Sequence, residues 1–220
     1  NLNLQVWDVY TDNVFNTAML QADLLFPQKN SSSFFAAIQF IRQDAINHGG
    51  NTNAAKTYFE KNGRSFSFGA RAGWKNKTWE TSINYNRITG HGRYLMPREW
   101  GREPFFTFLP RERNEGFGDV HAIMARVNFN IPKAGIKTSL AAGYYKLPDV
   151  KNYRLNKYGL PSYTQANADI RYSFTGILKG FEAQLLVVWK MNAGEMYNNR
   201  RFEINKVNML QYNFVLNFHF

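Results

Sequence analysis

Acid–base chemistry has few candidates in this sequence of 220 residues: histidine occurs only at 48, 91, 121 and 219, and cysteine is absent. The stretch GDVH (118–121) sets Asp119 two residues before His121, a base with a carboxylate close enough to orient it. A hydrolase would also need a nucleophile or an activated water within reach of that pair. In an extended segment, however, both residues share parity with Ile123, Val127 and Phe129, which puts them on an apolar face or at its rim. No side chains carry metal-ligand spacing. Without cysteine, disulfides and thiolate sites are excluded. No cofactor is expected.

Charge offers a different chemistry. The formal net charge is +11, so the chain should attract anions. Arg71, Arg126, Lys137, Arg171 and Lys190 come from separate segments, and each falls on the polar side of an alternating pattern. Side by side on one wall they form a row of modest attractions. Weak multiple sites suit passage of an anion better than one tight site. Glu80, Asp169 and Glu182 share that side and either neutralise the row or form an acidic side opposite it. The plainer reading is charge that solvates a wet surface and pairs across strands. Periodicity fixes which way these residues face, not their height.

The elements that must position them are strands. Successive strand side chains point to opposite faces, so period two is the signal. In SFSFGARAGWK (65–75), Phe66, Phe68, Ala70, Ala72 and Trp74 oppose Ser65, Ser67, Gly69, Arg71, Gly73 and Lys75. QANADIRYSF (165–174) repeats the pattern. Further strands are expected near 2–10, 14–26, 34–43, 78–88, 120–131, 136–147, 181–192 and 204–220, about ten in all. AAKTYFEK (54–61) suits a helical turn inside a loop. Short and long connections alternate. PQKNSSS, KNK, IPKAG and TGILKG are short, while 44–64, 89–119, 148–163 and 193–203 are long and polar. Residues 11–13 are the exception, a short connector on the long-loop side. Outer-membrane barrels have this asymmetry.

Three observations set a barrel above a soluble sandwich. Aromatics gather beside the short turns: Phe26, Phe34, Trp74, Trp79, Phe129, Phe174, Phe181, Phe218 and Phe220. That is a girdle where hydrocarbon meets headgroups. The other face stays polar even in mid-strand. The chain also ends on QYNFVLNFHF, with aromatic or aliphatic residues at every second position and a final Phe. The densest apolar run, LLVVW (185–189), is far too short for a spanning helix. A nucleic-acid partner is not expected, because the aromatics lie opposite the basic row and offer no stacking platform beside it.

The final strand resembles the C-terminal signature of bacterial outer-membrane barrels. VWDVYTDNVFNTAMLQADLLFP (6–27), ITGHG (88–92), NFNIPKAGIKTSLAAGYYK (128–146) and YTQANADIRYSFTGILKGFEAQLLVVW (163–189), in that order, resemble the C-terminal half of an OprD-like porin. The resemblance implies an all-β transmembrane antiparallel β-barrel in a Gram-negative outer membrane, with the lipid bilayer as its surroundings. It also implies passage of small anionic or carboxylate-bearing solutes, for which such porins use a basic ladder, carried over to Arg71, Arg126, Lys137, Arg171 and Lys190. Those porins have eighteen strands and about twice this length. Either this is the second half of such a barrel, which a first residue Asn1 on a bare strand favours, or it is a complete ten-stranded one. Monomer, trimer and a non-conducting subunit of an envelope complex stay open.

One long segment remains. HGRYLMPREWGREPFFTFLPRERNEGFG lies within residues 90–118 and carries Arg93, Arg98, Arg102, Arg111 and Arg113 among Glu99, Glu103, Glu112 and Glu115. Loops mostly stay outside, which favours a cap over neighbouring loops. Trp100, Phe105, Phe106 and Phe108 argue for a segment folded onto something. Folded inward, it would make Arg98, Arg102, Arg111 and Arg113 constriction residues.

Overall fold

The computed structural model describes residues 1–97, 101–112 and 114–219. Alternation becomes strand where the pattern is strongest. The strands are β1 (Leu2–Thr11), β2 (Phe15–Pro27), β3 (Ser33–Ala45), β4 (Arg64–Lys75), β5 (Trp79–Ile88), β6 (Val120–Ile131), β7 (Ile136–Lys146), β8 (Tyr163–Ser173), β9 (Phe181–Asn192) and β10 (Met209–Phe218). They form one 10-stranded antiparallel sheet in chain order. Among the described residues β1 and β10 are its two edges and pair only with β2 and β9, so the ten strands do not close on themselves. The expected helical turn is a single 3₁₀ turn, Ala54–Lys56.

β10 starts later than the pattern near 204 suggested. Asn205 and Asn208 take left-handed φ of 58° and 54°, and Val207 is buried, so tertiary packing turns the chain there. Short connections at 28–32, 76–78, 132–135 and 174–180 share one end of the sheet; 46–63, 89–119, 147–162 and 193–208 share the other. At the turn after β6, Gly135 has φ 68°, and a Cβ there would run into the Ser173 carbonyl oxygen. Glycine is the residue that accepts both conditions.

One face is bare and apolar. Ile38, Ile83 and Phe214 on it are 67%, 64% and 72% exposed. A contiguous apolar surface on this scale marks contact with lipid or a partner. Its short-turn end carries the expected aromatics: the Trp79 and Phe129 rings lie 4.3 Å apart and Phe181 and Phe218 lie 4.8 Å apart. Phe220 lies outside the described residues. The other face bears the described residues of the long segment 89–119. Beneath that segment sits the apolar core, where Ile41, Ile88, Met124, Tyr145 and Tyr163 from the strands pack against Tyr94, Phe105, Leu109 and Phe117. This core is a finding the reading of a wholly wet polar side did not contain.

Candidate functional site

The polar side becomes a site because residues 93–97, 101–112 and 114–117 fold back across it. The segment leaves and returns at one point: Tyr94 N–H donates to Phe117 O at 2.9 Å and Gly116 N–H to Tyr94 O at 2.7 Å. Between these ends, wall side chains donate to its backbone carbonyls. Gln43 on β3 donates to Leu95 O at 2.8 Å and accepts from Leu95 N–H at 2.9 Å. Gln39 donates to Pro104 O at 3.1 Å. The Tyr145 hydroxyl on β7 donates to Thr107 O at 2.7 Å, and Arg126 on β6 to Phe108 O at 2.6 Å. Gln165 and Asn167 on β8 both donate to Pro110 O, at 2.8 and 2.9 Å. The Lys190 ammonium on β9 donates to Arg111 O at 3.0 Å and stands 4.3 Å from the Tyr163 ring centre. Arg111 itself donates to Asn213 Oδ1 on β10 at 2.9 Å. The segment is therefore a strap held from β3 to β10. A loop usually satisfies its carbonyls with water; this one uses the wall.

The seat has a shape requirement on β4. A Cβ on Gly69 would come within 3.2 Å of the Phe106 ring and 3.3 Å of Gln39 Cβ, so glycine lets the strap approach. Phe106 in turn lies 4.7 Å from the Arg71 guanidinium. Burial pushes the Tyr94 phenol at the strap's base well above its ordinary range, with Glu103 and Glu115 adding to it, so it stays a neutral donor.

No protein-family model matches the sequence, and no curated protein does. Solved structures match in fold. Acinetobacter baumannii OccAB2 superposes with a TM-score of 0.71 at 14% identity, covering 100% of this chain and 51% of that one. The outer membrane protein OprD from Pseudomonas aeruginosa gives 0.70 at 10% identity, covering 99% and 55%. Pseudomonas aeruginosa OpdL gives 0.71 at 9% identity, covering 86% and 50%. The sheet has the fold of half an OprD-type barrel. The chain spans about half the length of the structures it matches.

On this OprD-type wall the five expected cations do face the strap side, but they are not a free row. Arg71 pairs with Asp23 at 2.7 Å and Arg171 with Asp169 at 3.1 Å. Arg126 and Lys190 are spent on strap carbonyls, and Lys190 is only 3% exposed. Lys137 is exposed, with Arg171 opposite it in the ladder. The acidic residues do not form an opposing side. Asp169 and Glu182 flank Arg171, Glu182 at 4.0 Å, and Glu80 accepts from Asn128 at 3.3 Å. Short-range pairing on the sheet wins because opposite charges a few ångströms apart gain more from each other than from a distant row.

Of the strap arginines, Arg98 and Arg113 lie outside the described residues. Arg102 and Arg111 are exposed, Arg102 with its guanidinium 5.7 Å from the Phe108 ring centre. Asp119 and His121 are not a base and its orienter: Asp119 binds Arg87 at 2.7 Å, while His121 Nδ1 lies 2.8 Å from the Tyr85 hydroxyl on the bare face. The strap seat, Gln39, Gln43, Tyr145, Gln165 and Asn167, was missed by the sequence reading. Its trace is amides and tyrosines sharing parity with the basic row.

Proposed function

We propose that this chain supplies ten strands of a longer, about eighteen-stranded barrel that conducts small solutes across the bacterial outer membrane, with residues 93–117 as its constriction. The chain is taken as a single β-barrel domain whose remaining strands close the gap between β1 and β10. An open sheet edge is untenable in hydrocarbon, where no water satisfies backbone groups. The observation that carries the reading is the strap pinned across the polar side from β3 to β10. Such a strap narrows whatever space the closed barrel encloses.

Carboxylate-bearing solutes are the class that suits it. The exposed Arg102 and Arg111 on the strap, with Lys137 on the wall, offer modest attractions at several depths, while Arg71 and Arg171, paired with Asp23 and Asp169, add less. The ladder in this form leans on the strap more than on Arg126 and Lys190. A non-conducting envelope subunit is the second reading, favoured by the packed core under the strap.

The test is current through planar bilayers holding the full-length protein. Conductance with preference for small carboxylates over potassium is expected, lowered by Arg102→Gln with Arg111→Gln and raised in size by shortening residues 101–110. Silence both with the strap and with it shortened would leave the envelope-subunit reading standing instead.

A further inference from the structure

We infer that the bare face carries a binding band for anionic, phosphate-bearing lipid headgroups at the end where the long loops emerge. The inference goes beyond the channel reading and rests only on its membrane placement.

Arg42, Arg64, Arg87 and Lys146 lie on bare-face positions at the long-loop ends of β3, β4, β5 and β7. The register sets them in two groups, Arg42 with Arg64 on β3 and β4 and Arg87 with Lys146 on β5 and β7, with Arg87 opposite Phe68, four residues along β4 from Arg64. Asp44 stands opposite Arg64, Arg87 opposite His121, and His121 opposite Lys146. The Arg42 and Arg64 side chains are 50% and 56% exposed, and Lys146 is exposed. Two carboxylates answer four cations: Asp44 lies 2.6 Å from Arg42 and 4.0 Å from Arg64, and Asp119 lies 2.7 Å from Arg87. The band keeps a positive excess. Phe66 is set among the charges, 5.9 Å from the Arg42 guanidinium and 5.5 Å from the His91 ring.

Height supports the partner. On β5, Arg87 shares the bare face with Trp79 of the opposite girdle, eight residues away. At about 3.3 Å per residue that is about 26 Å of strand, or roughly 20 Å along the membrane normal at a tilt near 40°. An apolar band is about 25 Å tall, so the Arg87 backbone lies about 5 Å inside its edge, a distance that a long arginine side chain spans to bring its guanidinium to the boundary. Apolar Ile83 and Ile123 fill the face below, and bare-face strand positions at the short-turn end carry aromatics such as Trp74 and Trp79. Guanidinium groups at that boundary meet headgroups, and phosphate oxygens match their forked donors better than a choline does.

The probe is a bis-phosphorylated glycolipid against its dephosphorylated form, titrated onto the full-length protein in zwitterionic detergent and read by native mass spectrometry. About 1 kcal/mol per cation near a charged surface means Arg87→Gln and Lys146→Gln each weaken the phosphorylated lipid about fivefold. Lys133→Gln, in the short turn at the opposite end, should leave lipid binding unchanged, and added salt should weaken it. Arg87 also donates to the carbonyls of Ile88 and Val120, so its variant could misfold. Lys146→Gln then carries the test alone. Equal binding of both lipids, or unchanged binding by folded Lys146→Gln, overturns the inference. A protein that stays dispersed without detergent and binds neither lipid overturns the membrane reading itself.

Discussion

Replacing Arg126 by methionine should loosen the strap without unfolding the wall. The side chain is half-buried and donates to Phe108 O at 2.6 Å. Methionine keeps much of the apolar stem and removes the charged donor. A hydrogen bond to a charged group contributes about 1.5–3 kcal/mol net; taking about 2 kcal/mol, the open population of the strap rises roughly thirtyfold. Amide hydrogen exchange reads this directly, since local opening is reported by the amides it exposes. Phe108 N–H bonds to Phe105 O at 3.1 Å and Glu112 N–H to Leu109 O at 3.0 Å, so both are reporters within the strap. Their exchange should accelerate by about the same thirtyfold factor, while amides of the β7–β8 ladder stay protected. Adding Tyr145→Phe, which frees Thr107 O, should act on the same opening and less than additively, because the two carbonyls are adjacent. Unchanged exchange at Phe108 and Glu112, or equal acceleration throughout the sheet, would refute the idea that wall-to-carbonyl bonds hold the strap.

Gly69→Val should lift Phe106 from its seat, since even a Cβ comes within 3.2 Å of that ring; quenching of a probe placed at Phe106 measures the displacement. Ile83→Arg puts a charge on the bare face in mid-strand and should cost about 2–4 kcal/mol, measured by urea titration in lipid vesicles; a cost below about 0.5 kcal/mol, typical of an ordinary surface site, would contradict a lipid-facing assignment. The loops 147–162 and 193–208 are tied by the Tyr197 hydroxyl donating to Asp149 at 2.6 Å. That bond, with the Lys151 backbone N–H, holds the Asp149 carboxyl below its usual range. The stabilisation is therefore complete above the unfolded value near 4 and is lost as pH falls through the depressed one. Protease cutting in 193–208 should increase only in that acid window, and Tyr197→Phe should weaken the pH dependence, since the Lys151 N–H still holds the Asp149 carboxyl down.

The wall's facing was legible residue by residue. Arg71, Arg126, Lys137, Arg171 and Lys190 share one side because strand geometry alternates side chains whatever the rest of the chain does. The hairpin ends were legible for the same local reason: Gly135 and Asn13 take left-handed φ, 68° and 59°, where a turn needs it. The aromatic pairs beside the short turns follow, since turn length fixes which residues meet. What each charge does was not legible. Asp23 reaches Arg71 across two strands at a sequence separation of 48, and Lys190 meets Arg111 O at a separation of 79. Period two carries no information about partners that distant. The strap was undecided in the sequence too, because inward and outward folding bury the same Phe105, Phe106 and Phe108 against different surfaces. Amino-acid order settles which side of a strand a residue occupies. Only the assembled sheet, by bringing Gln43, Tyr145, Gln165 and Lys190 beneath one set of carbonyls, decides that the long segment lies across the polar side.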